Sequence, residues 1–182
     1  MAGALEFVPP PLPPIATPVE ELWTGPYVGV QAGLGTTQLA FQGTPQVDLS
    51  GPVYGVHAGF LYDFGSIVAG IEGDYNLANI SGEFDGNAEI TELYHAKLRL
   101  GYDAGSLLIY GTAGYAYTTI ELFDGSSVYS GNGVFYGAGA DYMISSNWTA
   151  GAEVLLHEFD DLDGSGFGFD LTTVQARVSY HF

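Results

Sequence analysis

Thr173-Val-Gln-Ala-Arg-Val-Ser-Tyr-His-Phe182 ends the chain. Val174, Ala176, Val178, Tyr180 and Phe182 share one parity; Thr173, Gln175, Arg177, Ser179 and His181 share the other. Successive side chains of a strand point to opposite faces. The segment therefore predicts a β-strand with one apolar and one polar face.

Working backwards, the alternation recurs in seven further segments, beginning near Val28, Tyr54, Ile67, Tyr94, Leu107, Val134 and Trp148. The fourth is representative: Tyr94, Ala96, Leu98, Leu100 and Tyr102 oppose His95, Lys97, Arg99 and Gly101. Period two sustained over about ten residues is the pattern of a tilted membrane strand. The connections alternate too. Those at 63–66, 103–106 and 145–147 are short, whereas 39–52, 78–91, 119–133 and 158–170 read as longer loops. Two of the short ones share a Tyr-Asp-x-Gly-Ser phrase, at Tyr62–Ser66 and Tyr102–Ser106.

Composition narrows the class. The 182 residues carry only 13% charged side chains yet 47% hydrophobic ones, with no cysteine and a formal net charge of −18. Three Lys or Arg against 21 Asp or Glu argue against nucleic-acid binding. No stretch approaches the ~18 consecutive apolar residues of a membrane-spanning helix. A closed sheet is the other backbone solution inside lipid. No basic, then apolar, leader opens the sequence, so it reads as a mature form. Residues 1–22 hold Pro9, Pro10, Pro11, Pro13, Pro14 and Pro18 and read as an extended tail, leaving 23–182 for the barrel.

The contents of the two faces decide which one looks outward. Lys97, Arg99 and Arg177 all fall on the polar face, with Glu72, Asp74, Asp141 and Glu153. Eight strands leave a lumen just wide enough to fill with side chains. Glycines and small polar residues suit that space, so the aromatic-rich face goes to lipid. Tyr62, Phe64, Tyr102, Tyr142, Trp148, Tyr180 and Phe182 then form a girdle at the short-turn edge. The expected fold is all-β: an eight-stranded antiparallel up-and-down transmembrane β-barrel. Such barrels occupy the outer membrane of Gram-negative bacteria, with short turns periplasmic and longer loops outside. An even strand count places both termini in the periplasm.

Several phrases then point to a family. Trp23-Thr-Gly-Pro-Tyr-Val-Gly, Gly70-Ile-Glu-Gly-Asp-Tyr, Lys97-Leu-Arg-Leu-Gly-Tyr, Tyr136-Gly-Ala-Gly-Ala-Asp-Tyr and Arg177-Val-Ser-Tyr-His-Phe follow one another in order. Over 23–182 the chain resembles small outer-membrane barrels of the opacity-protein type. Its Pro-rich lead-in resembles the alphaproteobacterial major surface antigens. The resemblance implies delivery by the β-barrel assembly machinery, which reads a terminal aromatic with apolar residues before it. Phe182, Tyr180, Val178 and Val174 match that signal.

Three constellations could carry chemistry. Glu72, Asp74, Asp141 and Glu153 with Lys97, Arg99 and Arg177 read as an ionic plug in the lumen, neighbours neutralising one another. A selectivity filter in a narrow channel is the alternative. His57, His95 and His181 with His157 read as core histidines; His157 beside Glu158 near the outer rim is the pair to watch for hydrolysis. The longer connections are acidic and could loosely hold divalent cations that bridge to lipopolysaccharide. Asp160, Asp161 and Asp163 are weak metal candidates, because an EF-hand register would put Phe159 at its first position.

The functional expectation is a non-enzymatic outer-membrane protein that supports the envelope and presents loops, with a narrow pore for ions or small solutes as the alternative. No cofactor is expected. The expected partners are membrane lipid, lipopolysaccharide and the assembly machinery, with a second copy or a neighbouring envelope protein beside it.

Overall fold

A computed structural model describes residues 22–39, 47–80, 88–122, 127–162 and 169–182. The eight strands are β1 (Gly25–Leu39), β2 (Val47–Asp63), β3 (Ile67–Ile80), β4 (Ala88–Asp103), β5 (Leu107–Leu122), β6 (Ser127–Met143), β7 (Trp148–Leu162) and β8 (Phe169–His181). Each pairs antiparallel with its neighbours in sequence, and β1 pairs antiparallel with β8, closing the barrel. Tyr27 faces His181 and Ala32 faces Ala176 across the seam, so no sheet edge remains there.

The strands run 13 to 17 residues, longer than the ~9–11 needed to cross a bilayer. The four longer connections are consequently shorter than expected: β2 already starts at Val47 and β6 at Ser127. The reason is that ladder hydrogen bonds use only the backbone, whereas outward apolar residues are needed only where lipid touches the wall. Outward positions stop being apolar at Leu34 and Val174, and the next outward pair on β1 and β8 is Thr36 with Thr172. The alternation marks the lipid band, and the ladder outruns it.

The short turns are built alike. Asp63 Oδ1 accepts from the Gly65 amide at 2.7 Å, and Asp103 Oδ1 accepts from the Gly105 amide at 2.7 Å. Gly65 and Gly105 hold φ of +106° and +79°, which only glycine adopts cheaply. Phe64 and Ala104 amides then donate to the carbonyls of Ile67 and Leu107, closing each hairpin.

The outer wall is apolar. Val30, Leu34, Ile71, Leu98 and Tyr115 are 59–74% exposed. At its short-turn edge, Tyr180 packs between Trp148 and Phe182, with ring centroids 5.2 and 5.1 Å away. At the opposite edge the Tyr75 and Tyr94 hydroxyls both donate to Glu92, at 2.8 and 3.3 Å.

Inside, the inward residues of β3 read Val68, Gly70, Glu72, Asp74, Asn76, Ala78 and Ile80: apolar ends around a polar centre. Val68 joins Trp23, Tyr27, Leu61, Leu108 and Tyr110 in a buried cluster at the short-turn end. Ala78 and Ile80 join Phe135, Leu155, Phe159, Phe169 and Leu171 in another towards the longer connections. The expectation that glycines and small polar residues fill the lumen therefore needs correcting, since six aromatics among the described residues point inward: Trp23, Tyr27, Tyr110, Phe135, Phe159 and Phe169. Inward glycines make room for them. A Cβ on Gly59 would sit 2.6 Å from Cζ of Tyr27, and one on Gly139 would sit 2.5 Å from Cζ of Tyr110. The glycines are not the filling; they are the space the rings occupy.

Candidate functional site

Between the two apolar clusters lies the charged centre. β3 supplies Glu72 and Asp74, β4 Lys97 and Arg99, β6 Asp141, β7 Glu153 and β8 Arg177, because each sits at an inward position of its strand. All seven residues anticipated for the plug meet there. Lys97 Nζ lies 2.6 Å from Glu153, 2.8 Å from Asp74 and 3.1 Å from Glu72. Arg99 reaches Asp141 at 2.5 Å and Glu72 at 3.2 Å. Arg177 contacts Glu153 at 2.9 Å and grips both oxygens of Glu72. Glu72 thus receives all three cations, and its side chain is wholly buried with those of Lys97, Asp74 and Glu153. Burying such charges is costly unless each is paired and hydrogen-bonded, a condition these contacts meet.

Two tyrosines complete the set, and neither was anticipated in this role. Tyr27 donates to Glu72 at 2.6 Å and accepts from Arg99 at 2.9 Å. Tyr110 donates to Glu153 at 3.1 Å, while the Arg99 guanidinium lies over its ring. Their inward parity was legible in the alternation; the reach of their hydroxyls was not.

A second polar chain runs beside the ion pairs. Ser179 Oγ lies 2.8 Å from His57 Nε2, and His57 Nδ1 lies 2.9 Å from Gln31 Oε1. Gln31 then donates to Asn76 at 2.6 Å, and Asn76 donates to Asp74. Asp74 meets His95, His95 meets His157, and His157 meets the Leu171 carbonyl. The chain begins and ends on β8. His57, His95 and His157 are buried and bonded, in agreement with their reading as core histidines. His181, also buried, stacks on Tyr27 at 5.3 Å. The His157–Glu158 pair does not form. His157 points inward and Glu158 outward, as adjacent strand residues must.

Of the assembly-signal residues, Val178 and Phe182 face outward at 39% and 71% exposure, and Tyr180 lies in the aromatic edge. Asp160 and Asp161 fall within β7, and Asp163 lies outside the described residues, as do residues 1–21 of the expected tail.

A closed eight-stranded antiparallel barrel has known counterparts. The sequence profile of the family described as "Outer membrane protein beta-barrel domain" matches residues 12–182. The chain belongs to that family. It is 30% identical to the 31 kDa outer-membrane immunogenic protein of Brucella melitensis, covering 94% of this chain and 85% of that one. It is 28% identical to the 22 kDa outer membrane protein of Rhizobium leguminosarum bv. viciae, covering 88% of this chain and 78% of that one. Among solved structures, Neisserial surface protein A shares the fold with a TM-score of 0.62 at 14% identity, covering 87% of this chain and 98% of that one. This outer-membrane barrel therefore crosses lipid with its strands, and the exposed Leu98 and Ile71 are lipid-facing.

Proposed function

We propose that this outer-membrane barrel is a non-enzymatic scaffold with a sealed lumen, supporting the envelope and presenting its longer connections outside the cell. The observation that carries this reading is the wholly buried Lys97–Glu72–Asp74–Glu153 cluster in mid-lumen, set between two apolar clusters. Rigid hairpins of this kind suit the display of variable segments. The relatives named for immunogenicity favour a surface role. The short-turn edge and both termini belong on the periplasmic side, where Trp148, Tyr180 and Phe182 anchor the wall. The outward Phe182, Tyr180 and Val178 then serve the assembly machinery. Lipopolysaccharide surrounds the opposite edge, with divalent cations held loosely by acidic connections there. A second copy or another envelope protein can pack beside the lipid wall.

Conductance tests the sealed lumen. In planar bilayers the purified barrel is expected to show no steady openings. Steady openings that disappear on Arg99→Ala or Glu153→Gln would instead establish a narrow pore. Unchanged, background-level hydrolysis of lipid and peptide substrates on His157→Gln is the expected result for a protein without a catalytic centre.

A further inference from the structure

The Asp74–His95–His157 chain poses a problem of counting. Three contacts join it end to end: Asp74 Oδ1 to His95 Nδ1 at 2.6 Å, His95 Nε2 to His157 Nε2 at 2.9 Å, and His157 Nδ1 to the Leu171 carbonyl at 3.0 Å. Each joins two atoms that repel unless a proton lies between them. A carboxylate and a carbonyl only accept, and an imidazole nitrogen without its proton also only accepts. Three contacts need three protons. An ionised Asp74 and two neutral imidazoles bring only two.

We propose that this chain is a binding site for one additional proton, held across His95 and His157 in mid-barrel. The surrounding charges agree with the count. Glu72, Asp74, Asp141 and Glu153 contribute four negative charges, and Lys97, Arg99 and Arg177 contribute three positive ones. The additional proton is the fourth positive charge, and the network balances at zero. Without it a net negative charge stays buried, which is costly.

The neighbours from every flanking strand leave the proton here rather than elsewhere. β3 presents Asp74 and Asn76, both already bonded within the chain. β4 and β7, the strands of the two imidazoles, also carry Lys97 and Glu153, which are bonded to each other. β5 presents Ala116 opposite His95. β6 presents the Phe135 ring 4.8 Å from His95, and its Asp141 is held by Arg99. β8 presents the Leu171 carbonyl, and its Arg177 is held by Glu72 and Glu153. His57, next along the polar chain, donates from Nδ1 to the Gln31 oxygen, and a hydroxyl such as Ser179 can donate to its Nε2, so its own single proton suffices. This inference goes beyond the scaffold reading and holds whether or not the lumen conducts. It makes the plug a pH-linked element, best balanced while the proton is bound.

Nitrogen NMR of the full chain, labelled with 15N-histidine and folded in lipid, tests it directly. At about pH 7.5 an ordinary imidazole, with a pKa near 6.5, is neutral. The four ring nitrogens of His95 and His157 should still carry three protons, one of them shared. Two protons among the four would overturn the proposal. Proton linkage provides a second measurement. One more proton in the folded state makes the unfolding constant rise tenfold per pH unit more steeply. Relative to His95→Gln, which removes the site, the wild type should show that extra slope above about pH 7.5. His157→Gln brings an amide that can donate to a neutral His95, removes the need for the extra proton, and should lose the slope as well. Equal slopes for wild type and His95→Gln would also overturn the proposal. If either variant fails to fold, the wild-type spectrum decides alone.

Discussion

The guanidinium of Arg99 lies 3.7 Å from the ring centroid of Tyr110, on the neighbouring strand. A desolvated cation over an aromatic face is attracted by the ring quadrupole, worth about 2 kcal/mol. The same tyrosine donates to Glu153, so its ring and hydroxyl act on different ion pairs. Tyr110→Phe should keep the stacking and lose the hydrogen bond, costing about 1.5–3 kcal/mol. Tyr110→Leu should cost more, since both are lost. Urea unfolding in lipid vesicles, compared across the two variants, separates the contributions. Equal losses would mean the ring contributes nothing beyond its bulk.

Gly139 is the complement of that tyrosine. Because an added Cβ would meet the Tyr110 ring, Gly139→Val should displace the ring and cost about 1–3 kcal/mol by overpacking. The double variant with Tyr110→Leu should recover most of that loss, which the same unfolding measurement would read. No recovery would show that the clash is with the backbone of β7 instead.

Lys97 and Glu153 are the shortest link of the plug whose partners are both wholly buried. Breaking a buried pair on one side strands the other charge, at about 3–5 kcal/mol. Lys97→Met alone should be strongly destabilising. Lys97→Met with Glu153→Gln should be far milder than the sum of the single changes. Additive losses in a double-mutant cycle would mean the two charges do not interact.

Leu98 tests the outer wall. It is 67% exposed, and on a water-facing surface its change to Arg would be nearly neutral. On the lipid side of a barrel the same change costs about 2–4 kcal/mol near the midplane. Folding yield and urea midpoint in vesicles should both fall for Leu98→Arg and stay nearly unchanged for Leu98→Ile.

The hairpin turns give a local test. Gly105 holds a positive φ with its side-chain position in open space, so Gly105→Ala should cost only the backbone strain, about 1–2 kcal/mol. Asp103→Ala removes the acceptor for the Gly105 amide and should cost about 1 kcal/mol. Both effects would show in unfolding midpoints, and neither change should alter the lumen.

Much of this barrel was legible before any coordinates. Parity alone assigned Arg177 to the inside and Val178 to the outside, since a strand offers only two faces. Strand number and the three short turns followed from where the alternation stopped and resumed. The outer ends did not follow, because the ladder of β2 continues to Val47 on backbone bonds that leave no hydrophobic signature. Nor did the space for the inward rings of Phe135 and Phe159, which is left by Gly114 and Gly133 on neighbouring strands. Aromatics read as lipid-facing until the opposing glycines are seen to make room for them.

Closure decided the rest. Glu72 and Arg177 stand 105 residues apart in sequence and meet only because β8 returns to β1. His95 and His157 are separated by 62 residues and share a contact across the lumen between strands that are not neighbours. The period of a strand is local and is written in every second residue. Which inward charge meets which depends on curvature and stagger around the whole barrel, and that information exists only once the sheet has closed.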